Sequence, residues 1–194
     1  YSELSNFFYV WLKCLVDDPH FKLEHVPTQD EAIVNNGMDK GEKEYQGLLT
    51  SVFQECFRVL KKDGKLIFTF HHIKWRAWWT VLRAIVESGF RVTSSFPVTS
   101  EYKVNPHIRN KQSLDMDLVL VCQGQTEDAP QFSTDPKDVI QRATDSQIPD
   151  GNANRWFLYF MGELLKTASS PLGEDLVSYE WFSNALAPMA RNLQ

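Results

Sequence analysis

The sequence contains no Gly-x-Gly, so it has neither a dinucleotide-binding fingerprint nor a phosphate-binding P-loop. It also lacks the Gly-x-Ser-x-Gly turn of hydrolases, the His-Glu-x-x-His motif and paired Cys-x-x-Cys motifs. The cysteines at 14, 56 and 122 have no metal-like spacing, and each lies in an apolar segment. We therefore predict that they are small buried hydrophobic residues, and we expect no metal site.

Long apolar runs are missing as well. No segment approaches the roughly 18 apolar residues of a membrane span, and no signal peptide is visible, so we expect a cytoplasmic protein without a membrane partner. The net charge of −5 gives no overall attraction to nucleic acid. Modest basic clusters occur at 107–111 and at Lys74 with Arg76.

The stretch from Phe53 to Gly89 organises the chain. Apolar residues that recur at helical spacing predict a helix that ends at Lys61–Gly64. The lysines there interact favourably with the negative end of the helix dipole, and Gly64 can adopt the left-handed conformation of a C-cap. The short apolar run Leu66–Phe70 predicts a buried central strand, and a second amphipathic helix begins near Lys74. Helix–strand–helix units of this kind build parallel sheets that are covered on both faces.

Two further strands follow. Phe90–Val98 predicts a strand ended by Pro97, and Met116–Cys122 predicts a very apolar one. Because no helix separates them, we expect these strands to pair antiparallel. The fold class is therefore α/β, with a mixed sheet that is parallel inside and carries an antiparallel edge pair, plus a small helical tail.

The remaining segments define the domain organisation. A strong amphipathic helix covers residues 2–16, and a polar excursion at 17–42 is long enough to be functional or mobile. A short helix is predicted at Asp135–Ala143, and longer ones at Arg155–Ala168 and Tyr179–Leu193. We predict a sheet domain, a linker and a helical appendage, at 1–123, 124–154 and 155–194.

The residues with the best prospects of contacting a ligand follow the first strand. His71 and His72 lie at its carboxyl end, where ligands of open α/β sheets bind. Neighbours on an extended backbone point to opposite faces, so only one can face a given cleft, and both could instead satisfy loop carbonyls. Trp75 could stack on a base or simply pack. Glu101 lies in a predicted loop and is either a site residue or a solvated charge.

Three segments resemble a known family. They are YSELSNFFYVWLK at 1–13, FRVLKKDGKLIFTFHH at 57–72 and VTSE at 98–101. Together they are similar to the C-terminal part of large bacterial and archaeal adenine-specific DNA methyltransferases, over roughly residues 1–123. The aromatic helix and the His-His strand end are the specific features. Asn6 stands where the family more often has an acid.

The resemblance implies the fifth to seventh strands of a Rossmann-like sheet, with S-adenosylmethionine as cofactor and adenine in DNA as acceptor. The target side of the cleft would be lined by His71, His72, Trp75, Glu101 and Asn6. Neither the catalytic Asp-Pro-Pro-Tyr nor a glycine loop occurs in the chain, so both are expected upstream of Tyr1, and the fragment is expected to be inactive alone.

Two alternatives stay open at this point. The chain could be a non-catalytic, degenerate methyltransferase module that binds protein or DNA, or part of a methyltransferase that acts on RNA or a small molecule. Half a sheet would also leave an unpaired edge, and unpaired edges invite pairing with another chain. We therefore expect self-association, through the sheet edge or through the helix at 2–16.

Overall fold

The computed structural model describes residues 2–19, 22, 28, 31–35, 37, 39–99, 116–146, 152–170 and 178–190. In chain order the elements are α1 (Ser2–Leu15), α2 (Glu42–Val59), β1 (Leu66–Phe70), α3 (Trp75–Glu87), β2 (Phe90–Thr99), β3 (Met116–Gly124), α4 (Pro136–Ser146), α5 (Ala153–Ala168) and α6 (Tyr179–Ala190). The chain divides into two compact units, Tyr1–Leu49 and Thr50–Gln194. Among the described residues, no helix is long and apolar enough to cross a membrane.

The first unit contains α1 and the polar excursion. The aromatic rings of Phe7, Phe8 and Trp11 are exposed and meet edge to face along α1. In the excursion, Lys40 is buried and its Nζ donates hydrogen bonds to the backbone oxygens of Thr28 and Glu31, at 2.8 and 2.7 Å. A buried ammonium needs such partners, so Lys40 ties the last residues of this segment to its middle.

The second unit is built on a three-stranded sheet in the order β1-β3-β2. Both pairs are antiparallel, with Phe68 opposite Leu120 in one and Phe96 opposite Val119 in the other. The predicted antiparallel pairing of the second and third strands is thus confirmed. The expected parallel interior is wrong for the described residues, because β3 lies between β1 and β2 and no two neighbouring strands are parallel.

The exposure of β1 corrects a second prediction. This strand was expected to be central and buried, but it lies at an edge of the described sheet and alternates half-buried with exposed residues. Ile67 is 60% exposed. The prediction for β2 also needs correction, since the strand continues through Pro97 to Thr99. Proline is tolerated there because β2 is the other edge of the described sheet.

One face of the sheet forms the core of this unit. α5 packs against β2 and β3, and the residues of α5 that were predicted to face inward are buried. Alternate residues of β3 are buried as well. The buried residues are Leu118, Leu120 and Cys122 of β3 and Phe157, Phe160, Met161, Leu164 and Leu165 of α5. Trp78 of α3 is fully buried, with its ring 4.9 Å from that of Phe70 and 6.4 Å from that of Phe157. The indole therefore joins β1, α3 and α5.

Gly162 lets α5 approach the sheet closely. A Cβ at this position would clash with the side chain of Ser95 on β2, and it would lie 3.7 Å from Leu118 Cδ1 on β3. A larger residue would force the helix away from the strands, which is why the smallest residue stands here. This close approach explains why α5 has a glycine in its interior, although glycine has a low helix propensity.

The cysteines follow the prediction only in part. Cys122 is buried in β3, and burial raises the pKa of its thiol to about 12. Cys56 is half-buried and Cys14 is exposed, so the expectation of burial is wrong for Cys14. The apolar residues of α1 whose side chains the structure describes are exposed, and Cys14 is exposed with them.

Candidate functional site at the carboxyl end of β1

The polar end of β1 lies next to the first turn of α3. The strand stops at Phe70, and His71 and His72 follow directly. Lys74 has an extended backbone at the N-cap of α3 and makes no side-chain cap of its own. The two histidines therefore fill the short connection between a strand end and a helix start.

His71 is held by a carboxylate from the neighbouring strand. Its Nδ1 is hydrogen-bonded to Oδ1 of Asp117, near the start of β3. A carboxylate can only accept, so Nδ1 carries a proton, and in the neutral tautomer that this contact selects Nε2 presents a lone pair. The two side chains are 33% and 21% exposed. Within the part of the chain that the structure describes, Nε2 of His71 makes no hydrogen bond.

This pair lies on the face of the sheet opposite the core. Residues two apart on a strand share a face, so Asp117 shares one with Val119. Cross-strand pairing adds Phe96, opposite Val119 on β2, and Thr69, opposite Val119 on β1. Phe96 is 47% exposed. The His71–Asp117 pair therefore borders a partly apolar strip that crosses all three strands.

His72 is directed into the helix start instead. Its Nδ1 accepts the backbone N–H of Lys74 at 2.9 Å, and its backbone oxygen accepts from Trp78 Nε1 at 2.8 Å. Burial lowers the pKa of the imidazole, because it disfavours the charged form of the ring. His72 thus accepts an N–H at the start of α3 that has no partner within the helix. This is a structural role, similar to the alternative in which the histidines only satisfy backbone groups of the loop.

The other predicted site residues are not gathered with this pair by any described contact. Trp75 begins α3 and is 39% exposed, whereas Trp78 is in the core and Trp79 packs on Phe182 of α6 at 5.4 Å. Asn6 lies in α1, and its side chain is outside the described residues, as are Glu101 and the basic cluster at 107–111.

Asp117 is the residue that sequence reasoning missed. It is the only charged residue in the predicted strand MDLVLVC, which was a usable signal because a lone carboxylate in an apolar strand needs a partner. Its partner depends on the register of β3 against β1, which brings the residue after Phe70 beside Asp117. That register is not visible in local sequence.

Among the described residues, no group of three or more His, Cys, Asp or Glu side chains could hold a metal ion. Comparisons of the chain with protein-family models, with curated proteins and with solved structures found no match. The family resemblance therefore stays a prediction, and the functional proposal rests on the geometry at the end of β1.

Proposed function

We propose that this chain forms the target-side part of an S-adenosylmethionine-dependent DNA adenine methyltransferase and is inactive alone. The observation that carries the proposal is the polar end of β1, where His71 is held by Asp117 beside the start of α3. Ligands of open α/β sheets bind outside the carboxyl ends of the strands. An oriented imidazole at such an end suits recognition of a polar, planar group.

The strand directions support the sheet assignment. Since β1 and β2 are both antiparallel to β3, they run in the same direction, and α3 connects them. Crossover through a helix between strands of one direction is the unit from which Rossmann-like sheets are built. We assign β1, β2 and β3 as the fifth, sixth and seventh strands, with the cofactor-binding strands pairing along the outer edge of β1.

The connection from β1 to α3 lacks the features by which a chain holds S-adenosylmethionine. The connection from β1 to α3, at 71–74, has no glycine that would let a ligand approach the backbone, and the Lys74 N–H is already bonded to His72. The glycine loop and the Asp-Pro-Pro-Tyr are also missing from the chain. No step of the reaction is therefore assigned to the residues of this chain, beyond contacts with the target.

Transfer of tritiated methyl groups from S-adenosylmethionine to DNA tests the proposal. The 194-residue chain should give no transfer and no heat on titration with S-adenosylmethionine. The polypeptide encoded by the complete reading frame should methylate DNA, with N6-methyladenine recovered from the digested product. Transfer by the chain alone would overturn the claim of inactivity. Transfer only to RNA, or no N6-methyladenine at all, would overturn the assignment of the acceptor.

A non-catalytic binding module is the second candidate, and the exposed aromatic side chains of α1 favour it. Phe7, Phe8 and Trp11 are all more than half exposed, and apolar surface of this kind marks interaction sites. The complete reading frame separates the two candidates. An upstream glycine loop and Asp-Pro-Pro-Tyr support the methyltransferase, whereas a start codon directly before Tyr1 supports the module.

A further inference from the structure

The His71–Asp117 pair has the geometry of an oriented hydrogen-bond acceptor. Asp117 accepts from Nδ1, which leaves the lone pair of Nε2 free of any described protein partner. Carboxylates that hold one ring nitrogen of a histidine set the tautomer and the orientation of the other. In the neutral tautomer, Nε2 of the pair is therefore an acceptor, which suits N–H or O–H donors.

The side chains next to the His71–Asp117 pair indicate which kind of hydrogen-bond donor fits there. Thr69, Val119 and Phe96 share a face with Asp117 across the three strands, and the ring of Phe96 is half exposed. Flat aromatic ligands stack on such side chains, and base stacking is tolerant of sequence. An anion is a poor match, because Nε2 presents a lone pair and the Asp117 carboxylate lies directly behind the ring.

We infer that Asp117 is a positioning residue for His71, and that Nε2 of His71 accepts a hydrogen bond from the exocyclic amino group of a nucleobase. This inference rests on the proposed function, and it names the group of the nucleic acid that the site reads. The base lies along the strip that ends in Phe96, with its amino edge at the pair. His72 is not the acceptor, because its Nδ1 accepts the N–H of Lys74 and its Nε2 therefore carries the ring proton.

NMR of the 194-residue chain labelled with ¹⁵N-histidine provides the test. Long-range ¹H–¹⁵N spectra should show His71 protonated on Nδ1 and bare on Nε2. Deoxyadenosine should shift the Nε2 resonance, whereas N6,N6-dimethyldeoxyadenosine, which stacks but has no amino proton, should shift it less. One lost hydrogen bond should weaken binding about fivefold, which is the expected difference in Kd between the two nucleosides.

Variants at the pair separate positioning from packing. Asp117→Ala should return His71 to a mixture of tautomers and weaken deoxyadenosine about fivefold, whereas Asp117→Asn, which still offers an oxygen acceptor, should keep the native tautomer. His72→Asn is the matched control and should leave the affinity unchanged. Because the comparison of two nucleosides uses the wild-type chain, it holds even if a variant fails to fold.

Three results would overturn the inference. They are a proton on Nε2 of His71 in the wild-type chain, equal or absent shifts with the two nucleosides, and a shift with inorganic phosphate but not with deoxyadenosine. The last would identify a phosphate ligand. Failure of the proposed function looks different: the complete reading frame would not methylate DNA, while the His71 resonance would still respond to the amino group.

Discussion

Trp78 Nε1 donates a 2.8 Å hydrogen bond to the backbone oxygen of His72 and so connects the core of α3 with the end of β1. The same indole is fully buried against Phe70, the last residue of the strand. The connection that carries both histidines is thus held at its strand end by packing and at its helix end by the bond between His72 and Lys74. The packing of the core therefore fixes the position of any site residue on this connection.

Replacing Trp78 by phenylalanine should weaken that connection. The change removes the donor to His72 and leaves a small cavity, so the free energy of unfolding should fall by about 1–3 kcal/mol. Urea unfolding followed by circular dichroism measures it. Trp75→Phe, at an exposed position of the same helix, is the control and should change stability by less than about 0.5 kcal/mol. Equal losses in the two variants would contradict the role given to Trp78.

Stability should also depend on the protonation of His72. Burial lowers its pKa in the folded chain below the ordinary value of 6.5, so the unfolded state binds more protons as the pH falls below 6.5. The free energy of unfolding should therefore decrease from pH 6.5 downwards, until the lower pKa of the folded state is passed. Above pH 6.5 this contribution to stability is fully present.

His72→Asn isolates this contribution from that of other groups. The asparagine oxygen can still accept the Lys74 N–H, but it does not titrate. Urea unfolding at pH 7.5 and at pH 5.5 should show a smaller loss for the variant than for the wild-type chain. A loss of the same size in both would mean that His72 is not the residue responsible.

Local sequence was sufficient for the bounds of the first strand, though not for its burial, and for the expectation that the two histidines point in different directions. The apolar run Leu66–Phe70 lies between a glycine turn and polar residues, and β1 has those bounds. Adjacent residues on an extended chain point to opposite sides, and His71 and His72 indeed bond to different elements. Both inferences need only a few neighbouring residues.

The pairing of the strands could not be derived in the same way. The helix between β1 and β2 correctly indicated one direction for both, but nothing local shows that β3 enters between them. The expected parallel interior failed for that reason. Asp117 was missed for the same reason. It lies 46 residues from His71 in the sequence and contacts it only when β3 pairs with β1 in the observed register.

Gly162 makes a prediction that runs against helix propensity. Gly162→Ala should destabilise the chain by about 1–3 kcal/mol, because the added Cβ clashes with Ser95, although alanine is the better helix former. Gly47→Ala in α2 is the matched control, since a Cβ there meets no atom within 4 Å, and it should be neutral or stabilising. Urea unfolding of both variants gives the comparison.

Ser95→Gly provides the second half of the Gly162 experiment. Removing the Ser95 side chain takes away the clashing atoms, so the double variant should recover part of the stability that Gly162→Ala loses. Additive losses in the double variant would show that the cost arises elsewhere than at the contact between α5 and β2. Recovery would establish that the close approach of α5 selects glycine.

The two edges of the described sheet predict how the isolated chain behaves at high concentration. The β2 edge carries Pro97 and a register shift between Val92 and Ser94, and both features discourage pairing with another strand. The β1 edge, LIFTF, has neither proline nor charge. We therefore propose that isolated copies associate through β1, with the exposed stripe of α1 as the alternative contact.

Sedimentation velocity over a range of concentrations distinguishes these contacts. The wild-type chain should show a mass that rises with concentration, and Ile67→Lys should shift it towards the monomer, because a charge on an edge strand opposes strand addition. Ser94→Lys on β2 is the control and should have no effect. If Trp11→Lys in α1 gives the monomer and Ile67→Lys does not, the helix is the contact surface. A wild-type chain that stays monomeric at every concentration would contradict self-association through either surface.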